Sequence, residues 1–355
     1  MPNSPPTIAA AHPLDGLRAA SPIPETRAQA LAEEYYGLPA AVRRLDSERD
    51  QNFRLRTPDG RDYVLKIANP AEDRAVTNLQ TEALRHAAAN DSALPIPRVF
   101  PALNGAVELE VTFDDGSTRV VRLLSFLAGT PMHQVTPPST ALRREIGHWA
   151  ARLARALHDF RHPGAGHKLL WDIQHAAELR PLLDSVPIAQ RDVVERFLDG
   201  FETHARPRLS QLPAQPVHND LNPHNIVVVP TDHERIAGII DFGDLTSTAR
   251  INDLAIACAY QVADSDDALA PACELIAGYH AVMPLAPDER TVLFDLIATR
   301  MVMTVVISNL RAARYPENRE YILRNNKAAS ARLGRIARLS RDQARQQIER
   351  ACQGE

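Results

Sequence analysis

The sequence has few cysteines, little net charge and no evident targeting segment, and each shortage argues against a class of protein. Three cysteines among 355 residues, with no CxxC spacing, argue against a disulfide framework or a zinc site and suit a reducing compartment. A formal net charge of −4 predicts no nucleic-acid or membrane partner. No stretch has the length and polarity expected of a membrane-spanning helix, and no secretory signal is evident. We therefore expect a cytoplasmic protein.

The order of sequence patterns divides the chain into a tail and two lobes. Residues 1–24 contain repeated Pro, Ala and Ser without a sustained period, which is typical of a mobile tail. Residues 25–127 contain strand patterns and an amphipathic helix, whereas residues 128–355 contain mostly helical patterns. In the second region, helices are predicted at 173–185, 187–208, 252–281 and 287–312. The predicted fold class is therefore α+β, with a small β-rich N-terminal lobe and a larger, mostly helical C-terminal lobe.

The N-terminal lobe is predicted to contain two hairpins with a helix between them. Each hairpin has a turn signal with Asp and Gly. Apolar residues within 73–89 are spaced for one face of a helix. The predicted strands are 52–56, 61–67, 106–113 and 118–124.

Two polar segments next to short apolar runs predict the chemistry. The first, 218–225, reads HNDLNPHN, and the second, 240–244, reads IDFGD. Metal-assisted phosphoryl transfer requires a carboxylate that receives a hydroxyl proton and oxygen ligands that hold Mg²⁺. We therefore predict that Asp220 is the catalytic base or orienting carboxylate, and that Asn225 and Asp241 are Mg²⁺ ligands.

Each of these residues also has a structural interpretation. An Asp before Asn and Pro commonly caps a turn, and Asn225 and Asp241 could be ordinary polar residues at strand ends. Ile239 and Ile240 suggest, however, that Asp241 follows a buried strand, where an unpartnered charge is costly. The spacing of Asp220, Asn225 and Asp241 together favours catalysis.

Lys66 is the candidate for contact with nucleotide phosphates. Strand alternation places it on the face opposite Leu65 and Ile67, although a solvated strand lysine is the alternative. Glu82, on the following helix, is predicted to pair with Lys66, and Glu72 is a weaker candidate for that pairing.

The segment 47–53 is a candidate phosphate-covering loop. Its backbone N–H groups and small polar side chains, including Ser47 and Asn52, could bind an anion. The loop lacks glycine, so an ordinary polar loop is an equal alternative.

Further residues are candidates for substrate contacts or for support of the catalytic loop. Trp171, Asp172 and Asp244 offer an aromatic face and carboxylates for a cationic amine, although Trp171 is more often simple packing. Arg300 and Arg311 offer forked donors for a carboxylate, although arginines on a helix are more often solvated. The predicted structural residues are His218, which would brace the loop by hydrogen bonds to backbone, and Asp253, which would cap a helix and could also tether the catalytic loop.

The motifs together resemble the aminoglycoside phosphotransferase/choline kinase group of protein-kinase-like enzymes, over about residues 30–325. Segments such as YVLKI at 63–67 are most similar to the hydroxylysine kinase branch. The resemblance implies a bilobal kinase fold with ATP between the lobes. Ser125 and Leu127 would lie near the adenine, and Lys66 would bind the phosphates. Asn219 stands where many relatives carry Gly, which leaves the reaction type intact but makes the transfer of a substrate from any one relative doubtful.

The resulting hypothesis is an ATP- and Mg²⁺-dependent small-molecule kinase that acts on a hydroxylated amino acid or amino alcohol. Alternative acceptors are aminoglycosides, homoserine, and choline or ethanolamine. A protein kinase is disfavoured because the loop lacks the usual Arg and no Ala-Pro-Glu follows Asp241. A catalytically silent binding module is disfavoured because Lys66, Asp220, Asn225 and Asp241 are all present. The sequence leaves the acceptor, the choice between ATP and GTP and the oligomeric state open.

Overall fold

The computed structural model describes residues 21–47, 49–135 and 137–354. The strands are β1 Ala41–Leu45, β2 Gln51–Arg56, β3 Asp62–Ile67, β4 Val99–Phe100, β5 Leu109–Thr112, β6 Thr118–Ser125, β7 Thr130–Pro131, β8 Ala214–Val217, β9 Ile226–Val229, β10 Asp232–Ile239 and β11 Thr246–Ala249. The α-helices are α1 Glu25–Tyr36, α2 Arg74–Asn90, α3 Thr140–Ala156, α4 Ile188–Gly200, α5 Arg206–Leu209, α6 Ile251–Gln261, α7 Ala270–Val282, α8 Pro287–Arg314, α9 Arg319–Ile322, α10 Asn326–Ile336 and α11 Arg341–Gln353.

The N-terminal lobe is one antiparallel sheet whose two faces differ in chemistry. Its strand order is β1-β2-β3-β6-β4, and β5 also pairs with β6. Apolar side chains of β2, β3 and β6 pack with α1 on one face. Because side chains alternate along a strand, Asn52, Lys66 and Arg122, which are register partners in a row, lie on the opposite face. The sheet therefore carries a polar row on the face away from α1.

The lobe begins earlier than the sequence predicts. Ile23 is buried, and its backbone N donates to Gln51 Oε1 at 2.7 Å. Residues 21–24 therefore belong to the sheet lobe, which corrects the predicted tail boundary at residue 24. The rest of the predicted tail, residues 1–20, lies outside the described residues.

The C-terminal lobe is built around α8, which is buried along most of its length. This helix is long and apolar enough to cross a membrane by composition, but 94% of its most apolar window is buried inside the protein. The expectation that no such stretch exists was therefore wrong, and the helix forms the core of the lobe. Gly147 on α3 and Gly278 on α7 allow these helices to touch, because a Cβ at either would collide with a backbone carbonyl of the other.

Several predicted elements differ in detail. The exposed edge strand β1 has no apolar alternation and was missed. The predicted helix at 173–185 is a 3₁₀ segment that contains Pro181. The pattern at 187–208 is interrupted by a π-helical turn, Phe201–Ala205, and the pattern at 252–281 is divided between α6 and α7.

Candidate active site

A short hairpin brings two of the predicted site residues to the same end of the C-terminal lobe. Strands β9 and β10 are antiparallel, with Ile226 opposite Ile239. Asn225 therefore directly precedes one strand and Asp241 follows the other, and the Ile240 backbone N donates to the Asn225 carbonyl at 2.9 Å. The Asp241 side chain is 58% exposed.

Hydrogen bonds to Asp253 and His218 fix the loop that contains Asp220. The buried Asp253 carboxylate accepts from the backbone N–H groups of His218 at 2.9 Å and Asn219 at 2.6 Å. His218 Nδ1 accepts from the Asp220 backbone N at 3.2 Å, and its Nε2 lies 2.9 Å from the Ile240 carbonyl. His218 therefore links the loop to the strand end that precedes Asp241.

Asn219 occupies a position that few residues tolerate. Its φ is 64°, in the left-handed region where Gly and, less readily, Asn are accommodated. The side chain is fully buried, and neither its Oδ1 nor its Nδ2 has a hydrogen-bond partner among the described residues. This backbone conformation is one that Asn adopts more readily than most other non-glycine residues.

Asp220 lies in a basic and amide-lined environment. Its Oδ1 accepts from Arg300 Nη2 at 2.9 Å, and its Oδ2 accepts from Asn222 Nδ2 at 2.7 Å and Asn225 Nδ2 at 2.8 Å. Burial raises the pKa of Asp220 to about 6 against the opposing effect of Arg300, and the negative Asp244 raises it further. A carboxyl group with this pKa is ionised at neutral pH and can receive a proton.

Lys66 pairs with Asp50 instead of the predicted Glu82. Lys66 Nζ lies 3.0 Å from Asp50 Oδ2 and 3.9 Å from Asp241 Oδ1. Glu82 instead forms an ion pair with Arg85 at 2.9 Å, and both residues lie on an exposed part of α2. The predicted pairing of Lys66 with Glu82 was therefore wrong.

A buried arginine explains why Glu82 does not reach Lys66. Arg122, the register partner of Lys66, is fully buried, and its guanidinium donates to the Gln80 side chain at 3.0 Å and the Thr77 carbonyl at 3.1 Å. These groups of α2 face the polar row of the sheet, and Glu82 is on another side of the helix. Glu72 is not an ion-pair partner of Lys66 either, and burial raises its pKa.

Asp50 is a residue that the sequence analysis missed. Although burial favours its neutral form, the positive Lys66 and Arg122 lower the pKa of Asp50. Its Oδ1 also accepts from the Asn69 backbone N at 3.2 Å. One signal was available in the sequence. Asp50 directly precedes the strand that contributes Asn52 to the polar row of the sheet.

The other predicted nucleotide contacts have different surroundings. Asn52 is a register partner of Lys66, and its Oδ1 is buried without a hydrogen-bond partner among the described residues. Ser125 Oγ accepts from the Arg98 backbone N at 2.8 Å. Leu127 packs directly on Gly238 of β10. Ser47 is exposed, and its neighbour Glu48 lies outside the described residues.

The two predicted substrate carboxylates, Asp172 and Asp244, lie in different environments. Asp172 is fully buried and accepts from the Gln174 backbone N at 3.1 Å and Thr248 Oγ1 at 3.0 Å. It therefore caps a 3₁₀ segment, and its prediction as a substrate contact was wrong. Asp244 is partly buried and pairs with Arg49 at 2.9 Å.

Of the two predicted arginines, only Arg300 reaches the site. Its Nη1 donates to the Trp171 carbonyl at 3.0 Å, and its guanidinium lies 5.0 Å from the centre of the Trp171 ring. Arg311 lies three turns further along α8, roughly 16 Å away at the usual helical rise. The helix therefore separates Arg311 from Asp220, and the substrate contact of Arg311 stays a prediction.

A cavity of about 550 Å³ opens beside the catalytic loop. His224 and Arg300 are part of its wall, and Arg300 is the residue that donates to Asp220 Oδ1. The ring of His224 stacks on that of His133 with centroids 4.2 Å apart. Burial lowers the pKa of His224 to about 4, so this histidine is neutral at physiological pH.

Residues 41–292 match the model of the phosphotransferase enzyme family. The chain belongs to this family. The fold agrees, because this phosphotransferase resembles an amicoumacin kinase with a TM-score of 0.64 at 15% identity, over 86% of this chain and 93% of the other. An aminoglycoside phosphotransferase from Alicyclobacillus acidocaldarius also gives a TM-score of 0.64, at 18% identity, over 94% and 99% of the two chains.

Curated relatives define the type of phosphotransferase. The chain is 29% identical to hydroxylysine kinase of Danio rerio over 88% of its length and 91% of the relative. It is 30% identical to hydroxylysine kinase of Bos taurus, over 84% and 85% of the two chains. This phosphotransferase is a small-molecule kinase that phosphorylates a hydroxyl group. The predicted family, bilobal kinase fold and enzyme class are confirmed.

Proposed function

We propose that this kinase uses ATP and Mg²⁺ to phosphorylate the hydroxyl group of a hydroxylated amino acid or amino alcohol. The observation that carries the proposal is the environment of Asp220. Its carboxylate is held by Arg300 and Asn225, and Arg300 also lines the cavity beside the loop. An acceptor hydroxyl in that cavity can therefore approach the group that receives its proton.

The residues at the strand ends fit a Mg²⁺ site. Asn225 uses its Nδ2 to bind Asp220, which leaves its amide oxygen for a cation, and the Asp241 carboxylate is largely exposed. No three His, Cys, Asp or Glu side chains form a metal-binding group within residues 21–47, 49–135 and 137–354. A cation held by Asn225 and Asp241 would share its other positions with water and phosphates, as Mg²⁺ commonly does. When bound, it would offset negative charge on the transferred group.

The chain's own residues supply the remaining functions. Asp220 accepts the proton of the acceptor hydroxyl and aligns the oxygen for in-line attack. Lys66, which is held by Asp50 within reach of Asp241, offsets charge on the nucleotide phosphates. The hydroxylysine kinases among the relatives support an acceptor with a hydroxyl and an amine. The small number of cysteines and the lack of a CxxC spacing suit a cytoplasmic enzyme.

An acceptor screen tests the proposal. Purified protein is incubated with ATP or GTP, with and without Mg²⁺, and with 5-hydroxylysine, homoserine, ethanolamine, choline or an aminoglycoside. We expect Mg²⁺-dependent formation of a phosphorylated amino acid or amino alcohol, detected by mass spectrometry. The variant Asp220→Asn should bind nucleotide but lose most turnover.

Two results would contradict the proposal in different ways. Activity confined to the aminoglycoside would overturn the acceptor class. Thermal stabilisation by ATP without turnover of any hydroxyl compound would instead favour a catalytically silent binding module.

A further inference from the structure

The charged side chains that line the cavity beside the catalytic loop differ in whether they have an ion-pair partner among the described residues. Four charged side chains line it: Arg143, Asp264, Arg300 and Arg332. Three of these have ion-pair partners, namely Glu274 for Arg143, Arg335 for Asp264 and Asp220 for Arg300. Arg332 has no hydrogen bond and no ion pair within 4.0 Å to any residue that the structure describes. Arg332 is therefore the one charged side chain in this wall without an ion pair to a residue that the structure describes.

Arg332 lies on α10, and its surroundings are unusual for an unpaired arginine. Burial lowers its pKa, and Tyr260 and Asp264 oppose this effect. A half-buried cation without a partner carries a desolvation cost that an anionic ligand can offset. Such a site favours binding of an anion from the cavity.

Tyr260 connects this charge to the catalytic carboxylate. It lies near enough to both Arg332 and Arg300 to influence them electrostatically, and all three residues line the same cavity. Arg300 in turn donates to Asp220 Oδ1 at 2.9 Å. One small molecule in the cavity can thus have its hydroxyl at Asp220 and an anionic group at Arg332.

We infer that Arg332 binds the carboxylate of the acceptor, so that the enzyme selects hydroxylated amino acids over the corresponding amino alcohols. This inference rests on the proposed function and narrows its acceptor class. A carboxylate fits because its two oxygens match the planar fork of a guanidinium, and the Tyr260 hydroxyl can donate a further hydrogen bond.

The test compares acceptors that differ only in the carboxylate. The pairs are 5-hydroxylysine with 1,5-diaminopentan-2-ol, and homoserine with 3-aminopropan-1-ol. The variants are Arg332→Met, which removes the charge, and Arg332→Lys, which keeps the charge but lacks the planar guanidinium group. Arg338→Met is the matched control, because Arg338 follows the same helix but is exposed and does not line the cavity.

We expect wild-type enzyme to prefer one or both carboxylated acceptors, and Arg332→Met to raise the KM for the preferred acceptor about 10- to 100-fold. The kcat and the KM for ATP should change little, Arg332→Lys should restore part of the affinity, and Arg338→Met should behave as wild type. Calorimetric titration of the same four compounds provides a readout that does not require turnover. It should show binding of a carboxylated compound that Arg332→Met weakens.

The outcomes separate this inference from the proposed function. Turnover of a carboxylated acceptor and its amino alcohol with equal KM in wild type and Arg332→Met would overturn the inference and leave the kinase function intact. Absence of turnover with all acceptors would contradict the proposed function. In that case, calorimetric binding that requires the carboxylate and is lost in Arg332→Met would still support Arg332 as the carboxylate anchor. Absence of such binding would overturn the inference. If Arg332→Met raised the KM for ATP as much as the KM for the acceptor, the inference would also be overturned.

Discussion

Arg300 Nη2 lies 2.9 Å from Asp220 Oδ1, and both groups are in largely buried side chains. The arginine therefore compensates the charge of a carboxylate whose pKa burial raises to about 6. Since the guanidinium is also held by the Trp171 carbonyl and ring, its position is fixed before any substrate binds. This arrangement makes the ionisation of Asp220 sensitive to Arg300.

The first prediction concerns the pH dependence of activity. Asp220 must be ionised to accept a proton, so kcat/KM should fall as the pH decreases through about 6. Arg300 lowers the pKa of Asp220, so Arg300→Met should raise this pKa and move the acidic limb of the profile upward by about one pH unit. The measurement is kcat/KM for the acceptor between pH 5 and 9.

Arg311→Met is the control, because it changes the same residue type on the same helix away from the site. Melting temperature and ATP binding report whether Arg300→Met remains folded. An acidic limb that stays at the wild-type pH in a folded Arg300→Met variant would contradict the assigned relationship.

The second prediction distinguishes Asp50 from Glu82 as the partner of Lys66. Asp50→Asn should reduce kcat/KM for ATP about tenfold or more, whereas Glu82→Gln should stay within about twofold, because only Asp50 holds the amine. In the Lys66→Met background, Asp50→Asn should have little further effect on the rate. Steady-state kinetics with varied ATP tests this cycle, and fully additive effects would argue against the pairing.

The third prediction concerns Asn219 and its left-handed backbone. Asn219→Gly should keep activity within about twofold and the melting temperature near or above that of wild type. Glycine adopts this φ without strain and removes two buried polar atoms that lack partners. Asn219→Val should be destabilised by about 2 kcal/mol or more, since a β-branched residue is an outlier there. Thermal and urea unfolding give the comparison, and equal stability of the two variants would rule out backbone strain as the constraint.

The fourth prediction tests the metal role of Asp241. Asp241 also has a positive φ of 63°, so Asp241→Asn is chosen because Asn tolerates this region. The variant should lose most of the Mg²⁺-dependent part of its affinity for a non-hydrolysable ATP analogue, with little change in stability because the side chain is largely exposed. Calorimetry with and without Mg²⁺ measures this affinity. Asp232→Asn, at the far end of the same strand, is the control, and equal behaviour of both variants would remove Asp241 from the metal site.

Local signals in the sequence were sufficient for many elements. The periodic apolar pattern at 73–89 predicts α2, which spans Arg74–Asn90, and the turn at 57–60 predicts the hairpin of β2 and β3. These features depend on neighbours in the chain, so a single sequence contains their information. The edge strand β1 was missed because most of its residues are exposed and carry no burial pattern.

Side-chain partners were less predictable. Lys66 was correctly oriented away from α1, but its partner depends on the buried Arg122 and on the rotation of α2, which no local pattern encodes. Asp172 resembles an accessible carboxylate in sequence, yet a tertiary contact with Thr248 completes its burial. The catalytic role of Asp220 and the metal roles of Asn225 and Asp241 stay predictions that their geometry supports.

By itself, the sequence determined the family, the kinase chemistry and the loop segments that carry the polar groups, because these depend on residue types at fixed spacings. Only the tertiary structure decided which charges meet. It paired Asp50 with Lys66 and Arg300 with Asp220, and it left Arg332 unmatched among the described residues in the adjoining cavity. The physical reason is that ion pairs form between groups brought within a few ångströms by packing of distant segments, and that packing fixes which charges lose water and which remain for a ligand.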